Sequence, residues 1–240
     1  MVVWFNIESS CPMCGRRLRL RQVGGGFALG QDSDLLVRME GRHTIQAAIH
    51  TCLGCRYSGY ADDFGLSPSE AIAKRFRTEI TPRLGGAPAG KMTTTPLPDL
   101  QYYWAFRCAA FLGRENGELG ERLLRAYWCL RLPPSRDLSP DEVANRRRVY
   151  LSGAIHHLRE DARDGSTGTK LYLLGELNRR HGEFPIAESY FKRFLDTTGG
   201  GRGGSPKYLR LAAIKLLRAT EHCDSRDRTM EEIVYSESKD

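Results

Sequence analysis

Two short cysteine-bearing stretches decide how the first quarter of the chain folds: SSCPMCGRR at residues 9–17 and HTCLGCRYS at residues 50–58. Each contains two cysteines that are separated by two residues: Cys11 and Cys14, then Cys52 and Cys55. A C-x2-C pair on a tight turn presents both sulfurs to one ion, and two such pairs complete the tetrahedron of a structural zinc site. We therefore predict one zinc ion per chain, held by these four cysteines and without an open coordination position.

The overall cysteine usage favours metal ligation over a disulfide framework. The chain holds seven cysteines, and because the apolar run Met1–Phe5 is short and lacks preceding basic residues, we expect no secretory signal. The 37 residues between the two pairs exceed the roughly 15–20 of the commonest spacing, so an insertion must loop out between the two halves. Four free or redox-active thiols are the alternative. We expect Cys108, Cys129 and Cys223 to be buried structural thiols.

Short alternating runs flank both cysteine pairs. In RRLRLRQV, residues 16–23, leucines alternate with arginines, and in TIQAAIHT, residues 44–51, Ile45, Ala47 and Ile49 share one face. This alternation predicts strands. Each cysteine pair would then sit on a turn beside a strand, which is the construction of a zinc ribbon.

A helix and a linker follow the second cysteine pair. Ser67 is suited to cap the helix, Pro68 to open it and Glu70 to close a capping box, which predicts a helix as far as about Ile80. Residues 81–98 are rich in proline, glycine and threonine, a composition typical of a domain boundary.

Helical periodicity dominates the chain from residue 99 onwards. Residues 99–133 predict two helices around the ENG turn at residues 115–117, and Ser139 caps a further helix that ends at Gly165. The segment at residues 171–195 follows the tetratricopeptide repeat pattern of two antiparallel helices. The positions that carry this pattern are Leu171, Leu174, Gly175, Gly182, Phe184, Ala187 and Phe191.

These elements predict an α+β fold that is mostly α, with a small N-terminal zinc-ribbon-like β domain followed by a tetratricopeptide-like helical domain. The predicted boundaries are 1–80 for the ribbon with its trailing helix, 81–98 for the linker, 99–223 for the helical domain and 224–240 for a charged, mobile tail. No stretch approaches the roughly 18 apolar residues of a membrane span. We expect a cytoplasmic protein that makes no membrane contact.

The net charge of +7 raises the possibility of a nucleic-acid partner. Residues 1–80 hold ten Lys or Arg against eight Asp or Glu, so most of the surplus lies in the helical remainder. A nucleic-acid-binding ribbon is nevertheless one alternative, in which Arg16, Arg17, Arg19 and Arg21 would track phosphates. Their near-neutral domain counts against it.

Four aspartates suggest a different alternative, a metal-dependent enzyme. Asp32 and Asp34 in GQDSDLL, with Asp62 and Asp63 in YADDF, would have to converge to hold a hard cation or to act in acid–base catalysis. Ordinary turn formation explains the same residues, and we favour this interpretation. The sequence displays no activated partner for them, which favours a non-catalytic role.

Three motifs, CPMCG, GQDSDLL and TCLGCRYSGYADDF, together with the repeat-like helical tail, resemble the bacterial family known as domain of unknown function 2225. Members of that family look like a split zinc ribbon with an acidic DSD element, followed by helical repeats. The resemblance implies that Cys11, Cys14, Cys52 and Cys55 are the ligands and that Asp32, Ser33 and Asp34 form a second marked element near the site. Arg56 departs from the family, because a glycine that eases the turn usually follows the second pair.

Taken together, the sequence favours a binding protein over an enzyme. A structural zinc ribbon would support a helical domain whose concave face takes a protein partner. The nucleic-acid-binding module and the metal-dependent enzyme described above are the alternatives.

Overall fold

The structure is a computed structural model that describes residues 3–39, 44–85, 92, 94–132, 138–162, 168–198 and 206–234. Contacts divide the chain into two compact units. The cysteine unit comprises Met1–Phe27 and Met39–Tyr150, and the carboxy-terminal unit comprises Ala28–Arg38 and Leu151–Asp240.

The described elements follow one another in an order that places most strands before the helices. They are β1 (Val3–Ser10), β2 (Arg17–Gly25), β3 (Ala28–Gln31), β4 (Val37–Met39), α1 (Thr44–Ala47), β5 (His50–Thr51), β6 (Ser58–Gly59), α2 (Glu70–Arg75), α3 (Pro98–Phe111), α4 (Asn116–Cys129), α5 (Pro140–Asp161), α6 (Gly168–His181), α7 (Phe184–Thr198), α8 (Lys207–Glu221) and α9 (Met230–Val234). The predicted fold class, α+β and mostly α, is confirmed.

The strand predicted around residues 17–21 is confirmed as β2, which pairs antiparallel with β1. Ile7 lies opposite Leu20, and Glu8 lies opposite Arg19. Leu20 is 1% exposed, whereas Arg19 is exposed, so the alternation read from the sequence separates core from solvent.

The strand predicted over residues 44–51 is wrong in its first half. Residues 44–47 form α1, and only His50 and Thr51 are extended, in β5. Ile45 and Ile49 are both buried, and a spacing of four residues puts them on one face of a helix as readily as on one face of a strand. The Tyr102 hydroxyl donates to the Ile45 carbonyl at 2.7 Å and fixes this turn against α3.

The helix predicted from Ser67 to Ile80 begins two residues later than expected. Ser69, not Ser67, caps α2, and its hydroxyl accepts a hydrogen bond from the Ile72 amide at 3.4 Å. A wider π-helical turn and a short 3-10 turn then carry the chain to Leu84. Residues 81–85 of the predicted linker are therefore part of this packed segment, and residues 86–91 and 93 lie outside the described part of the chain.

The helices predicted on either side of the ENG turn are confirmed as α3 and α4, which pack on one another in the cysteine unit. Gly113, with a φ of +71°, ends α3 in the left-handed conformation that glycine adopts without strain. The apolar core of this unit collects Leu20, Tyr57, Phe64, Phe76 and Trp104 around the cysteines.

In the carboxy-terminal unit, α6 and α7 form an antiparallel hairpin that turns at Gly182, as predicted for residues 171–195. A Cβ atom on Gly175 would lie 2.8 Å from the Phe191 ring, so the two helices approach closely only because this residue is glycine. Tyr172 packs edge-on against Phe191 and Phe194 and fills the rest of the interface.

The compact units divide the chain differently from the predicted domains. Residues 28–38 lie in the carboxy-terminal unit because their turn packs there, and α3 and α4 lie in the cysteine unit. The first part of the expected mobile tail is packed: Asp32 forms an isolated antiparallel bridge with Thr229, and Met230 and Ile233 of α9 are buried. Residues 235–240 of that tail lie outside the described residues. Among those that are described, no helix has the length and apolar character needed to cross a membrane.

Candidate metal centre

The first cysteine pair sits on a tight turn that connects β1 to β2. The Cys11 amide donates to the Arg16 carbonyl, and the Gly15 amide donates back to the Cys11 carbonyl, both at 2.9 Å. Gly15 has a φ of +72°, a conformation that costs glycine nothing. The turn buries Cys11 and leaves Cys14 at the surface.

The second pair repeats this turn with one difference. The Cys52 amide donates to the Tyr57 carbonyl at 2.8 Å, and the Arg56 amide donates to the Cys52 carbonyl at 2.7 Å. Arg56 occupies the position of Gly15 and has a φ of +64°, so a side chain stands where glycine is favoured. Its buried guanidinium donates to the Thr81 carbonyl at 3.3 Å and lies 5.9 Å from the centre of the Trp104 ring. These contacts offset the backbone strain.

The two turns bring all four sulfurs within 4.8 Å of one another, and we call this group the cysteine cluster. The Cys11 and Cys55 sulfurs are 3.4 Å apart, and those of Cys14 and Cys52 are 3.6 Å apart. A tetrahedral ion with metal–sulfur distances of about 2.3 Å requires sulfurs about 3.8 Å apart. The cluster is therefore a possible metal site.

Hydrogen bonds among the sulfurs shift their pKa values in opposite directions. A hydrogen bond from Cys11 lowers the pKa of Cys52 to about 7, whereas bonds with Cys11 and Cys14 raise the pKa of Cys55 far above its usual range. Four thiolates this close together repel one another unless a cation compensates them. Metal binding here would release protons, and acid would oppose it.

The surroundings of the cluster are apolar. Met13, Leu20, Phe76 and Trp104 belong to the same buried core as Cys11, Cys52 and Cys55. Across the described ranges, the four cysteines are the one group of three or more potential metal ligands whose ligand atoms converge.

The other three cysteines divide as follows. Cys108 and Cys129 are buried as predicted, and burial raises the pKa of Cys108 to about 12. Cys223 is exposed, contrary to the expectation of a buried thiol, because it lies just after the end of α8.

The DSD element predicted near the metal lies in the carboxy-terminal unit. Asp32, Ser33 and Asp34 form a tight turn in which the Leu35 amide donates to the Asp32 carbonyl at 2.9 Å, and all three residues are buried. The Tyr172 hydroxyl of α6 donates to the Ser33 carbonyl at 2.9 Å. The element thus belongs with the helical hairpin and serves its packing.

Three charged residues of α6 surround this turn. Arg180 contacts Asp34 at 3.2 Å, the Ser33 hydroxyl at 2.8 Å and Glu176 at 2.6 Å. The Ser33 hydroxyl in turn donates to Glu176 at 2.5 Å, and Arg179 holds the same carboxylate from its other side at 2.7 Å. We call Ser33, Asp34, Glu176, Arg179 and Arg180 the charged network.

The network extends to the segment that follows α8. Arg179 donates to the Asp224 carbonyl and, at 2.8 Å, to the Arg226 carbonyl, and Arg180 contacts the Asp227 carboxylate at 2.7 Å. Burial alone would raise the pKa of the Glu176 carboxyl, but the two arginines outweigh it and hold that pKa below its usual range. The Glu176 carboxyl is therefore ionised at neutral pH.

Of the two aspartates of YADDF, Asp63 has a structural role in the cysteine unit. The Asp63 carboxylate accepts from the Tyr60 amide at 2.9 Å and pairs with Arg122 at 3.2 Å, whereas Asp62 is exposed. Asp34 pairs with Arg180 instead. Asp32 and Asp34 lie in the carboxy-terminal unit and Asp62 and Asp63 in the cysteine unit, and within each unit the described residues give these aspartates no shared cation site.

Comparison with known families identifies the chain. The family model described as "Uncharacterized protein conserved in bacteria", domain of unknown function 2225, matches residues 4–210. The chain belongs to this family. The resemblance seen in the cysteine and aspartate motifs is thereby confirmed. No curated protein and no solved structure matches the chain.

In this member of the family, sequence reasoning missed Glu176, Arg179 and Arg180. Their segment, GELNRRHG, reads as an ordinary polar stretch of a repeat helix. One signal was available: the spacing of three and four residues puts all three on one face of α6, and Tyr172, four residues before Glu176, continues that face. A charged patch on a packed helix face needs buried partners, and the DSD turn supplies them.

Proposed function

We propose that this protein is a structural zinc protein whose role is to bind other macromolecules. The single observation that carries the proposal is the cysteine cluster: four sulfurs from two equivalent turns, three of them buried in an apolar core. Four thiolates favour zinc or iron. Two matching cysteine turns with no fifth ligand among the described residues are typical of structural zinc.

The protein partner of this proposal binds the carboxy-terminal unit. The hairpin α6–α7 has the close glycine contact of a tetratricopeptide-like repeat, and α8 packs against α7. Tyr208, Leu211 and Ile214 of α8 stay about 40% exposed at spacings of three residues. In stacked helical repeats a further helix covers such a stripe, so the partner we propose contributes an amphipathic helix.

The metal is tested by measuring zinc and iron per chain by plasma mass spectrometry on protein purified without chelators. We expect one zinc per chain, and loss of zinc from Cys14→Ser. The matched control is Cys223→Ser, which removes the other exposed thiol and should keep the metal. Iron in place of zinc, or full zinc in Cys14→Ser, contradicts the proposal.

The same protein gives a second readout of the site. With zinc bound, a thiol reagent should react quickly with Cys223 alone, because Cys14 is exposed but coordinated. After chelation Cys14 should react as well. Rapid reaction of Cys14 in zinc-loaded protein would show that it is not a ligand.

The partner is tested separately, with a photo-activated cross-linking residue at Leu211 of the full chain in cells. The proposal predicts a discrete cross-linked product that the same residue at Lys192, on the exposed part of α7, does not give. Identical products from both positions, or none from Leu211, would exclude this surface.

A further inference from the structure

The outward face of β2 carries three arginines. Arg17, Arg19 and Arg21 alternate with leucines, and Leu20 points into the core, so the three guanidiniums share the opposite face. We call these three residues the arginine face. Arg19 pairs with Glu8 at 2.9 Å at an exposed position, and within the described ranges Arg17 and Arg21 have no carboxylate partner.

Arginines on the helices of the same unit are arranged differently. Arg75 pairs with Glu79 at 3.1 Å, and Arg125 pairs with Glu121 at 2.6 Å, each one helical turn away. Such pairs neutralise a surface locally. The arginine face therefore carries a concentration of positive charge that these helices do not have.

A groove adjoins the arginine face. It lies along the second edge of β2, opposite residues 46–53, and encloses a cavity of about 560 Å³. Among the described residues β2 pairs with β1 alone, so no second strand lies at this edge. The described lining of the groove includes no aspartate or glutamate, whereas Gln46, Thr51 and Gln101 supply amide and hydroxyl groups.

An aromatic residue lies on the same side of the hairpin. Asn6 is opposite Arg21, and Trp4, two residues before it, is opposite Val23. Residues opposite one another share a face of an antiparallel pair, so Trp4 lies on the arginine face, diagonal to Arg21. A partly exposed indole beside cationic groups offers a surface on which a base can stack.

We propose that the arginine face and its groove bind single-stranded nucleic acid, with Arg17, Arg19 and Arg21 contacting successive phosphates and Trp4 stacking on a base. Alternate residues of a strand recur about every 6.6–6.8 Å, a repeat suited to the phosphates of an extended single strand. An acidic peptide would use the charges but not the indole. This inference goes beyond the proposed function and needs zinc only to fold the cysteine unit.

The test measures the fluorescence anisotropy of a labelled 12-nucleotide oligouridine with zinc-loaded, full-length protein. Three phosphate contacts predict a slope of about −2 for log K against log salt, so the affinity should fall about 20-fold between 50 and 200 mM salt. Arg17→Gln/Arg19→Gln/Arg21→Gln should weaken binding at least tenfold. The matched control, Arg75→Gln/Arg148→Gln/Arg193→Gln, removes the same charge from exposed helix positions and should bind like wild type.

Additional variants and ligands in the same binding experiment can refute the proposal. Trp4→Ala should weaken binding about fivefold or more. Equal losses in the two triple variants would show that only net charge matters and would overturn the proposal. So would tighter binding of a 12-base-pair duplex or of a glutamate-rich 12-residue peptide. Zinc content is measured on each sample. If the triple variant of β2 loses zinc, the arginines serve the cysteine cluster and the nucleic-acid proposal fails. Wild-type protein without zinc would contradict the proposed function alone.

Discussion

The cysteine cluster and the charged network fasten distant parts of the chain in two different ways. The cluster brings together turns at residues 11–14 and 52–55 whose sulfurs form a possible metal site, and in the zinc protein that we propose an ion from outside the protein holds them. The network joins residues 33–34 to 176–180 and to 224–227 with charges that the chain itself supplies. In our proposal the cysteine cluster depends on a metal, whereas the charged network is complete when the chain folds.

The chemistry of the groups explains this difference. Four thiolates in an apolar core repel one another, so in the proposed zinc protein the cation holds the cluster together. A buried carboxylate or guanidinium has to be paired, and Glu176 and Arg180 satisfy each other and the Ser33 hydroxyl. The cysteine unit should therefore respond to metal supply, and the carboxy-terminal unit to changes of charge.

Removal of the metal should have the largest effect and should be confined to the cysteine unit. Structural zinc contributes about 10–16 kcal/mol in small zinc domains, so Cys52→Ser or a chelator should unfold the turns and β1–β2. Limited proteolysis with mass spectrometry should show new cleavage in residues 3–27, while amide hydrogen exchange in α6 and α7 stays as in wild type. An unchanged cleavage pattern in metal-free protein would show that the cysteine unit does not depend on a metal.

Breaking the charged network should destabilise the carboxy-terminal unit and leave the cysteine unit unchanged. Arg180→Leu leaves Glu176 and Asp34 without their shared cation and should cost about 3–5 kcal/mol. We expect faster hydrogen exchange in α6 and in residues 224–234, with full zinc content. Arg159→Leu, on the exposed part of α5, is the control and should change little. Loss of zinc from Arg180→Leu would show that the cysteine cluster depends on the charged network.

Acid should weaken the network in a defined direction. The pKa of Glu176 is held below its usual value of about 4.5, so its contribution to stability is complete above that value and is lost as the pH falls through the lowered pKa. Urea unfolding followed by hydrogen exchange in α6 should show constant stability from pH 7 to 5 and a steep decline below 4.5. Glu176→Gln should be less stable at neutral pH and should decline less. An equal decline in both proteins would assign the acid sensitivity to other groups.

The smallest effect should come from the second cysteine turn. Arg56→Gly and Arg56→Ala both lose the contacts with Thr81 and Trp104, but only alanine keeps a Cβ atom at positive φ. The glycine variant should therefore be more stable than the alanine variant by about 0.5–1 kcal/mol. Urea midpoints of the zinc-loaded proteins measure the difference. A more stable alanine variant would mean that this turn carries no strain.

Sequence reasoning located the cysteine cluster because its signal is local. Two cysteines at a fixed spacing imply a turn, and two such turns imply one ion, whatever lies between them. The longer helices were predictable for the same reason, since caps and apolar periodicity are properties of a few neighbouring residues. The strand prediction for residues 44–51 was wrong in its first half because apolar residues spaced by four positions occur in strands and in helices alike.

The charged network was not predictable in this way. Ser33 and Glu176 are 143 positions apart, and nothing near either residue specifies the other. Residues 28–38 belong to the carboxy-terminal unit because of this long-range contact. The predicted domain boundaries, which follow the order of the sequence, therefore placed these residues in the wrong unit.

The position of the DSD turn has a consequence for the time course of biosynthesis. Ser33 leaves the ribosome 143 residues before Glu176 and 195 residues before Arg228, whose carbonyl accepts from the Ser33 amide. At about 5–20 residues per second, the first of these delays lasts roughly 7–30 s. During that interval the nascent chain can close its cysteine turns, but the loop between them has no partner to bind. The loop emerges among the first residues of the chain and is among the last to reach its final contacts.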